Sequence, residues 1–336
     1  MIDLRSDTLT LPSVAMKEKM LSVKLGDDVF GEDPTVNLLE HKAASMFGME
    51  SAIFCPSGTM TNQIAINIHT QPGDEVICSR ESHIYNYEGG GIAKNSGASV
   101  RLIERNNGLL NHEDVLKNIN QDDVHCPRTA LVALENTSNR GGGVCYSNDE
   151  LIKIKNVCVQ NKIPLHLDGA RIFNALVEKK QSPKSYGKIF DSISICLSKG
   201  LGAPVGSLLI GNKQFINRAR RVRKVFGGGM RQAGIIAAGG IYALENNIDR
   251  LVDDHKRARI IANAAKECSW IQNVVPVETN IIVCYMKHDK SNTAFINKLE
   301  ELGIKCIPFG EGRVRMVTHL DISDMDVDQV CKKLNF

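Results

Sequence analysis

Two residues near the middle of the chain have the types and positions for covalent carbonyl chemistry. Lys199 follows the apolar run Ser192–Leu197 and precedes Gly200-Leu201-Gly202-Ala203-Pro204. A lysine drawn inside is costly unless it is neutral, paired or covalently used. Burial lowers an amine's pKa and leaves a nucleophile suited to a Schiff base. The nearby glycines let the backbone approach a bulky ligand. Asp168 ends a second apolar run, Ile163–Leu167. A carboxylate at the carboxyl end of a parallel strand lies where open α/β sheets bind ligands. Taken singly, Lys199 also fits a surface loop, and Asp168 a magnesium ligand or a helix N-cap. Together, on neighbouring strand ends, they fit an amine that holds a ring cofactor and an acid that keeps its nitrogen protonated, the arrangement of pyridoxal enzymes.

Other residues could complete such a site. Ser57-Gly58-Thr59 stands between a strand and a helix, where backbone N–H groups and the helix dipole hold a phosphate, or simply form a capped turn. Neither G-x-x-x-x-G-K-[ST] nor a G-x-G-x-x-G after a strand occurs, so no nucleotide fingerprint is present. His83, just after the run Glu75–Cys78, could stack on a ring, act as a base or be structural. Arg171, three residues past Asp168, can reach a ring oxygen or a substrate carboxylate. Arg313 and Arg315 share a strand face, and one could clamp a carboxylate; a solvent-facing pair is the alternative.

The elements that must position these groups alternate. Strands are expected at Ala52–Cys55, Glu75–Cys78, Ser99–Ile103, Thr129–Leu134, Ile163–Leu167, Ser192–Leu197 and Val205–Ile210, with helices between several of them. Ser147-Asn148-Asp149-Glu150 reads as a capping box that opens a helix to about Gln160. This pattern is α/β, a large domain with a mostly parallel sheet between helices. A long helical region, about Asn212 to Lys266, follows. Then come strand Asn280–Tyr285, helix Thr293–Leu302, strands Lys305–Pro308 and Val314–Thr318, and a helix from about Ser323. That is a small α+β C-terminal domain, residues 251–336, after a large domain, 1–250. A length of 336 residues fits two such units.

Bulk properties exclude other classes. A net charge of +3 gives no reason to expect nucleic acid or a membrane surface as partner. The one basic run, Arg218 to Lys224, is expected on a solvated or subunit-facing helix surface. Ten cysteines form no C-x-x-C and no zinc pattern, so no metal is expected. Several lie in apolar runs and read as small buried hydrophobes in a reducing compartment. The start, Met-Ile-Asp-Leu-Arg-Ser-Asp, lacks a signal-peptide core, and no long apolar span exists. The expected location is cytoplasmic.

These residues also carry a resemblance. Asp-Leu-Arg-Ser-Asp-Thr at 3–8, Gly-Asp-Asp-Val-Phe-Gly-Glu-Asp-Pro-Thr at 26–35, Pro-Ser-Gly-Thr-Met at 56–60 and His-Ile-Tyr at 83–85 resemble the L-threonine aldolase family (low-specificity type). So do Leu-Asp-Gly-Ala-Arg at 167–171, Ser-Lys-Gly-Leu-Gly-Ala-Pro at 198–204, Gly-Gly-Gly-Met-Arg-Gln-Ala-Gly at 227–234 and Val-Thr-His-Leu-Asp at 317–321. The resemblance implies the aspartate-aminotransferase-like fold (fold type I), pyridoxal 5'-phosphate as cofactor, and a homotetramer of dimers with shared active sites. It implies Lys199 as the Schiff-base lysine, Asp168 as the pyridine-nitrogen partner and His83 as the ring-stacking histidine. Gly58 and Thr59 resemble the phosphate loop, and Arg231 the arginine a neighbouring chain offers to the phosphate. Ser6, Arg171 and Arg315 resemble the ligands of the substrate carboxylate, and His125 the histidine near the substrate hydroxyl. Two positions depart from the family's common pattern: Phe30 stands where tyrosine is usual, and Ser138 where histidine is usual. Both bear on substrate preference.

The implied reaction is retro-aldol cleavage of a β-hydroxy-α-amino acid, threonine above all, to glycine and an aldehyde, with His83 or His125 as the base. A β-eliminating lyase or an amino-acid racemase would use the same Lys199 and Asp168. A non-catalytic binding protein would need no such complete set.

Overall fold

The computed structural model describes residues 1–288 and 290–335. Its strands are β1 (Ile2–Asp3), β2 (Ser51–Cys55), β3 (Glu75–Ser79), β4 (Ser99–Ile103), β5 (Thr129–Glu135), β6 (Leu165–Gly169), β7 (Ser192–Cys196), β8 (Ser207–Gly211), β9 (Ile271–Val274), β10 (Ile281–Met286), β11 (Ile304–Lys305), β12 (Ile307–Pro308) and β13 (Arg313–Val317). Seven of them form the large sheet, in the order β2-β8-β7-β6-β5-β3-β4. All run parallel except β8, which is antiparallel to both neighbours. Every residue of β3, β5, β6, β7 and β8 is buried. Helices cover both faces, which is why these strands read as continuous apolar runs rather than as alternations.

The sheet register sets the site. Asp168 lies opposite Glu135 of β5 on one side and Ser194 of β7 on the other. After β7 the chain turns back into β8, and this connection carries Lys199. Gly202 N–H closes a turn on the Lys199 carbonyl at 2.8 Å, and Leu197 N–H bonds the Gly206 carbonyl at 3.0 Å. Gly206 has φ 116°, a conformation other residues reach only with strain.

The local signals act as physics requires at most ends. Asp33 caps the helix Pro34–Phe47, accepting from the N–H groups of Thr35 and Val36, with proline at the first turn. The expected capping box at Ser147 is only half formed. Ser147 accepts from Glu150 N–H at 3.3 Å, but the Glu150 carboxylate turns to His112, accepting from its backbone N–H and facing its Nδ1. The long helical region is three helices, Lys213–Val225, Gly234–Asn246 and Leu251–Glu267. The basic run on the first is not wholly a surface. Arg223 is buried, donating to the Phe54 carbonyl at 2.7 Å and pairing with Asp28 at 2.8 Å.

A second antiparallel sheet, β12-β13-β10-β9, forms the C-terminal unit. The boundary drawn at residue 250 leaves out one contribution to it. Strand β1 pairs with β11, and Ile2 and Leu4 enter the apolar core made by residues 258–334. Pairing between segments some 300 residues apart leaves no local signal. All ten cysteines are free thiols, and all but Cys126 and Cys331 are buried. Among the described residues no helix is long and apolar enough to cross a membrane.

Candidate active site

The carboxyl ends of β5, β6 and β7 open into a cavity of about 350 Å³, closed from above by the chain start and by β12–β13 of the C-terminal unit. Six of the residues singled out in the sequence line it: Ser6, His83, Asp168, Arg171, Lys199 and Arg315.

Asp168 is buried. Its Oδ1 accepts from Ala170 N–H at 3.1 Å and its Oδ2 from the Asn62 side chain at 2.9 Å. Lys199 is half-buried, with Nζ 3.3 Å from Cys196 Sγ. The same sulfur would lie 2.6 Å from a Cβ built at Gly58. The first turn of the helix Gly58–His69 therefore passes so close to Cys196 that a side chain at 58 would collide with it. Ser57 caps that helix by accepting from Met60 N–H. Gly58 and Thr59 thus stand at a capped helix N-terminus beside Lys199, the arrangement that receives a phosphate.

His83 opens a short helix, with its backbone N–H donating to Glu135 at 2.6 Å and its Nδ1 3.0 Å from Glu88 Oε1. Burial disfavours its charge. The Glu88 hydrogen bond and the charges of Asp168, Glu88 and Glu135 outweigh that, and its pKa rises above the usual value. Burial, with the Asp168 charge, pushes the Glu135 carboxyl up to about 7.

The arginines divide their roles. Arg171 is buried and committed to Asp7, with Nε and Nη2 donating to its two carboxylate oxygens at 2.7 and 2.6 Å. Burial would raise the Asp7 carboxyl, but Arg171, Lys199 and Asn280 hold it below the usual range. Arg315 is differently placed. Nη1 donates to Asn139 and Nη2 to the Arg5 carbonyl, while its buried Nε has no acceptor among the described residues. Burial and the nearby Arg171 charge lower its pKa to about 10. Arg315 lines the cavity and brings a positive charge to it, which suits an anion. Both strand neighbours lie over the Phe309 ring, Arg315 at 5.0 Å and Arg313 at 5.9 Å, and Arg313 also lies over Tyr285.

Four expected residues do not line this cavity: Gly58 and Thr59, which stand beside it, and His125 and Arg231, which lie at the surface. His125 sits before β5, at the amino end of the sheet. Its imidazole is 87% exposed and its Nδ1 pairs with Asp123 at 2.7 Å. The parallel direction of β5 separates it from Asp168 by the strand's length, so it is no base for the site of its own chain. Arg231 pairs with Asp27 and is 55% exposed. Neither departure from the family pattern lines the cavity either. Phe30 is exposed, and Ser138 is buried in the turn beside Gly108 and Gly141. Asp7, Asn62, Glu88 and Glu135 were not anticipated. Glu135 ends an apolar run as Asp168 does, so the same rule finds it. The others carry no local signal.

The composite is a small chamber with an amine, a hydrogen-bonded carboxylate, a histidine with a raised pKa and an arginine. A sequence profile described as "Beta-eliminating lyase" matches residues 3–289. The chain is 43% identical over 334 residues to "Low specificity L-threonine aldolase" of Escherichia coli (strain K12), covering 98% of this chain and 97% of that one. It is 41% identical over 342 residues to "Probable low-specificity L-threonine aldolase 2" of Arabidopsis thaliana, covering 98% and 95%. Among solved structures it resembles the threonine aldolase of Leishmania major, with a TM-score of 0.86 at 20% identity, covering 99% of this chain and 98% of that one. It also resembles a putative L-allo-threonine aldolase of Listeria monocytogenes EGD-E, with a TM-score of 0.82 at 24% identity, covering 99% and 95%. These likenesses establish the large-and-small α/β arrangement of fold type I, and the sequence relatives establish more. The chain belongs to the beta-eliminating lyase family and, within it, to the low-specificity L-threonine aldolases.

Proposed function

We propose that this chain cleaves L-threonine, and with it L-allo-threonine and other β-hydroxy-α-amino acids, to glycine and the matching aldehyde, with pyridoxal 5'-phosphate as cofactor. The observation that carries the reading is the shared cavity of Lys199, Asp168 and Arg315. The donor set fits the cofactor: Lys199 for its aldehyde, Asp168 for its ring nitrogen, His83 for its ring face, and Gly58 and Thr59 at the helix start for its phosphate. When bound, that group draws electrons from the bond being broken at the amino acid's α-carbon.

The residues supply the rest. Arg315 and Ser6, which line the cavity together, receive the substrate carboxylate. Arg171, fixed on Asp7, adds positive charge to that wall without being free to move. The Nδ1 of His83 is occupied by Glu88, which leaves Nε2 to take the β-hydroxyl proton. Asp168 keeps the ring nitrogen protonated. Closure of the cavity by the C-terminal unit limits water.

A homotetramer with shared sites fits two surface groups, since Arg231 and His125 lie outside their own chain's cavity and are free to meet another's. Ten free thiols fit a reducing cytoplasmic compartment. The test is spectral and chemical. Purified protein with added cofactor should be yellow and release acetaldehyde and glycine from L-threonine. Lys199→Ala should lose the colour, and kcat should fall by roughly a thousandfold or more. Yellow protein that acts on L-cysteine by elimination, and not on threonine, would move the reaction to the family's other chemistry.

A further inference from the structure

Asn62 is almost fully buried on the helix beneath the site. Its side-chain amide makes three hydrogen bonds. The Nδ2 group donates to Asp168 Oδ2 and to Glu88 Oε1, both at 2.9 Å, so both of its hydrogens are used on carboxylates. Its Oδ1 lies 3.1 Å from His166 Nε2. Turning the amide over would set its oxygen against two carboxylates, so its orientation is fixed. His166 must then carry its proton on Nε2. Its Nδ1 is left as a lone pair, 2.9 Å from Ser192 Oγ, so Ser192 donates to it. The Ser192 oxygen in turn lies 3.0 Å from His69 Nε2 and accepts from it. His69 stacks on Phe215 and is half-buried. Every donor along this row points toward the two carboxylates. Burial lowers the pKa of His166 to about 3 and that of His69 to about 4, so both rings are neutral and hold one N–H each.

We propose that Asn62 is a positioning residue for the reaction, held in one orientation by the two carboxylates and backed by the one-way row His69–Ser192–His166, and that its single amide sets both Asp168 and His83. The inference deepens the proposed function and rests on it, because it takes Asp168 to face a cofactor ring. Asn62 reaches Asp168 directly. It reaches His83 through Glu88, whose Oε1 takes both the Asn62 hydrogen and His83 Nδ1. A neutral row suits this task, because it holds two carboxyl groups by hydrogen bonds without adding a cation that would compete with Lys199 and His83. An amide is a poor proton carrier, so the row orients charge and does not conduct protons.

The test uses the holoenzyme with isotope-labelled histidine. His166 should be the Nε2–H tautomer with a bare Nδ1, identified by its absence in His166→Gln. His166→Leu and Asn62→Leu should lower kcat roughly ten- to a hundredfold, the worth of a lost hydrogen bond to a charged group. Both should also move the pH midpoint of the visible band. His166→Gln, which offers an N–H near the place of Nε2, should bring kcat back to within about threefold. Ser192→Ala, a smaller change to the core, removes the donor to His166 Nδ1 and with it the backing of the row, and should shift the band in the same direction by a smaller amount. A wild-type His166 protonated on Nδ1 overturns the proposal. So does an unchanged band and kcat in both Asn62→Leu and Ser192→Ala. A protein that takes up no cofactor at all overturns the underlying functional reading instead, and the histidine tautomer tells the two failures apart.

Discussion

The two ends of the large sheet use the same residue types to opposite ends. At the carboxyl end, Asp168, Glu135, Arg171 and His83 are drawn inside, and each is held by named partners. At the amino end, Glu75 pairs with Arg101, Asp74 with Arg128, and Asp123 with His125, and in each pair the cationic partner is substantially exposed. Water screens the second set, so its ion pairs contribute little. The first set lies in a medium where charge is costly to misplace and strong when well placed. The difference follows from topology. Parallel strands that cross over through helices leave a crevice at their carboxyl ends, where the chain start and C-terminal unit of this protein form a roof.

The sharpest way to break the contrast is to make one change at both ends. Asp168→Asn should reduce kcat on threonine by roughly a hundred- to a thousandfold, because the negative charge facing the cofactor is lost. Asp123→Asn should change it by less than about twofold. Steady-state kinetics on the two variants, each saturated with cofactor, decides the matter. Comparable losses would mean that the ends are not functionally distinct.

Stability should divide the same way. Asp7→Asn leaves the Arg171 guanidinium buried without its counter-charge and should cost about 3–5 kcal/mol. Arg128→Ala removes a largely exposed partner and should cost less than about 1 kcal/mol. Denaturant melts of the two variants read this directly. If Asp7→Asn is no worse than Arg128→Ala, the Asp7–Arg171 pair does not tie the chain start to the sheet.

The sequence showed the two ends unequally. Asp168 and Lys199 were legible because each follows a run of apolar residues, and a charge there is out of place unless used. Arg315 was legible as one of two strand neighbours, though not which of the two faces the cavity. Both lie over Phe309, but Arg313 also lies over Tyr285, and Arg315 is the one that lines the cavity. Asp7 was not legible in this role because its partner lies 164 residues away. Asn62 and Glu88 sit among polar neighbours in the sequence, and only the fold turns them inward, Asn62 toward a carboxylate 106 residues distant. His125 failed for the reverse reason. Its motif was recognisable, but its place before β5 rather than after it puts it at the wrong end of its own sheet. The seven sheet strands followed from apolar runs, whereas β1 and its pairing with β11 depend on a contact between chain ends.

A pH series probes the buried end more gently. Glu135 has a folded pKa near 7, above the 4.5 of a free glutamate. Between those values the folded state holds a proton that the unfolded state has released, so stability falls as pH rises through that window and levels off above it. His83, with its pKa raised, acts in the same direction: its contribution is present at low pH and fades as pH rises through its folded value. In Glu135→Gln the first contribution is absent. The difference in unfolding free energy between variant and wild type should therefore shift in the variant's favour from pH 5 to pH 8, by about 2 kcal/mol. The slope is the readout, because glutamine also loses one of the two backbone N–H partners that Glu135 accepts from. Parallel stability curves for the two proteins would show that Glu135 is ionised throughout.

The smallest effects concern two surface groups, His125 before β5 and Arg231. They stand at the surface of their own chain, paired with Asp123 and Asp27. If copies of the chain associate so that these groups reach a neighbour's cavity, the surface of one chain completes the buried site of another. Arg231→Ala should then weaken retention of the cofactor, and His125→Ala should lower kcat/KM, each by roughly two- to tenfold, the scale of one partly solvated polar contact. Neither should change the melting behaviour of an isolated subunit. Mixing the two inactive-leaning variants gives the stronger reading. Were the sites shared, assemblies of Lys199→Ala with His125→Ala would contain some cavities with an intact Lys199 and a wild-type His125 from the neighbour. Those cavities should work at the full rate, so activity per intact Lys199 should exceed that of His125→Ala alone. Activity that is simply the sum of the separate proteins, with sedimentation confirming that the chains had mixed, would leave both residues as surface groups and the two ends of the sheet independent.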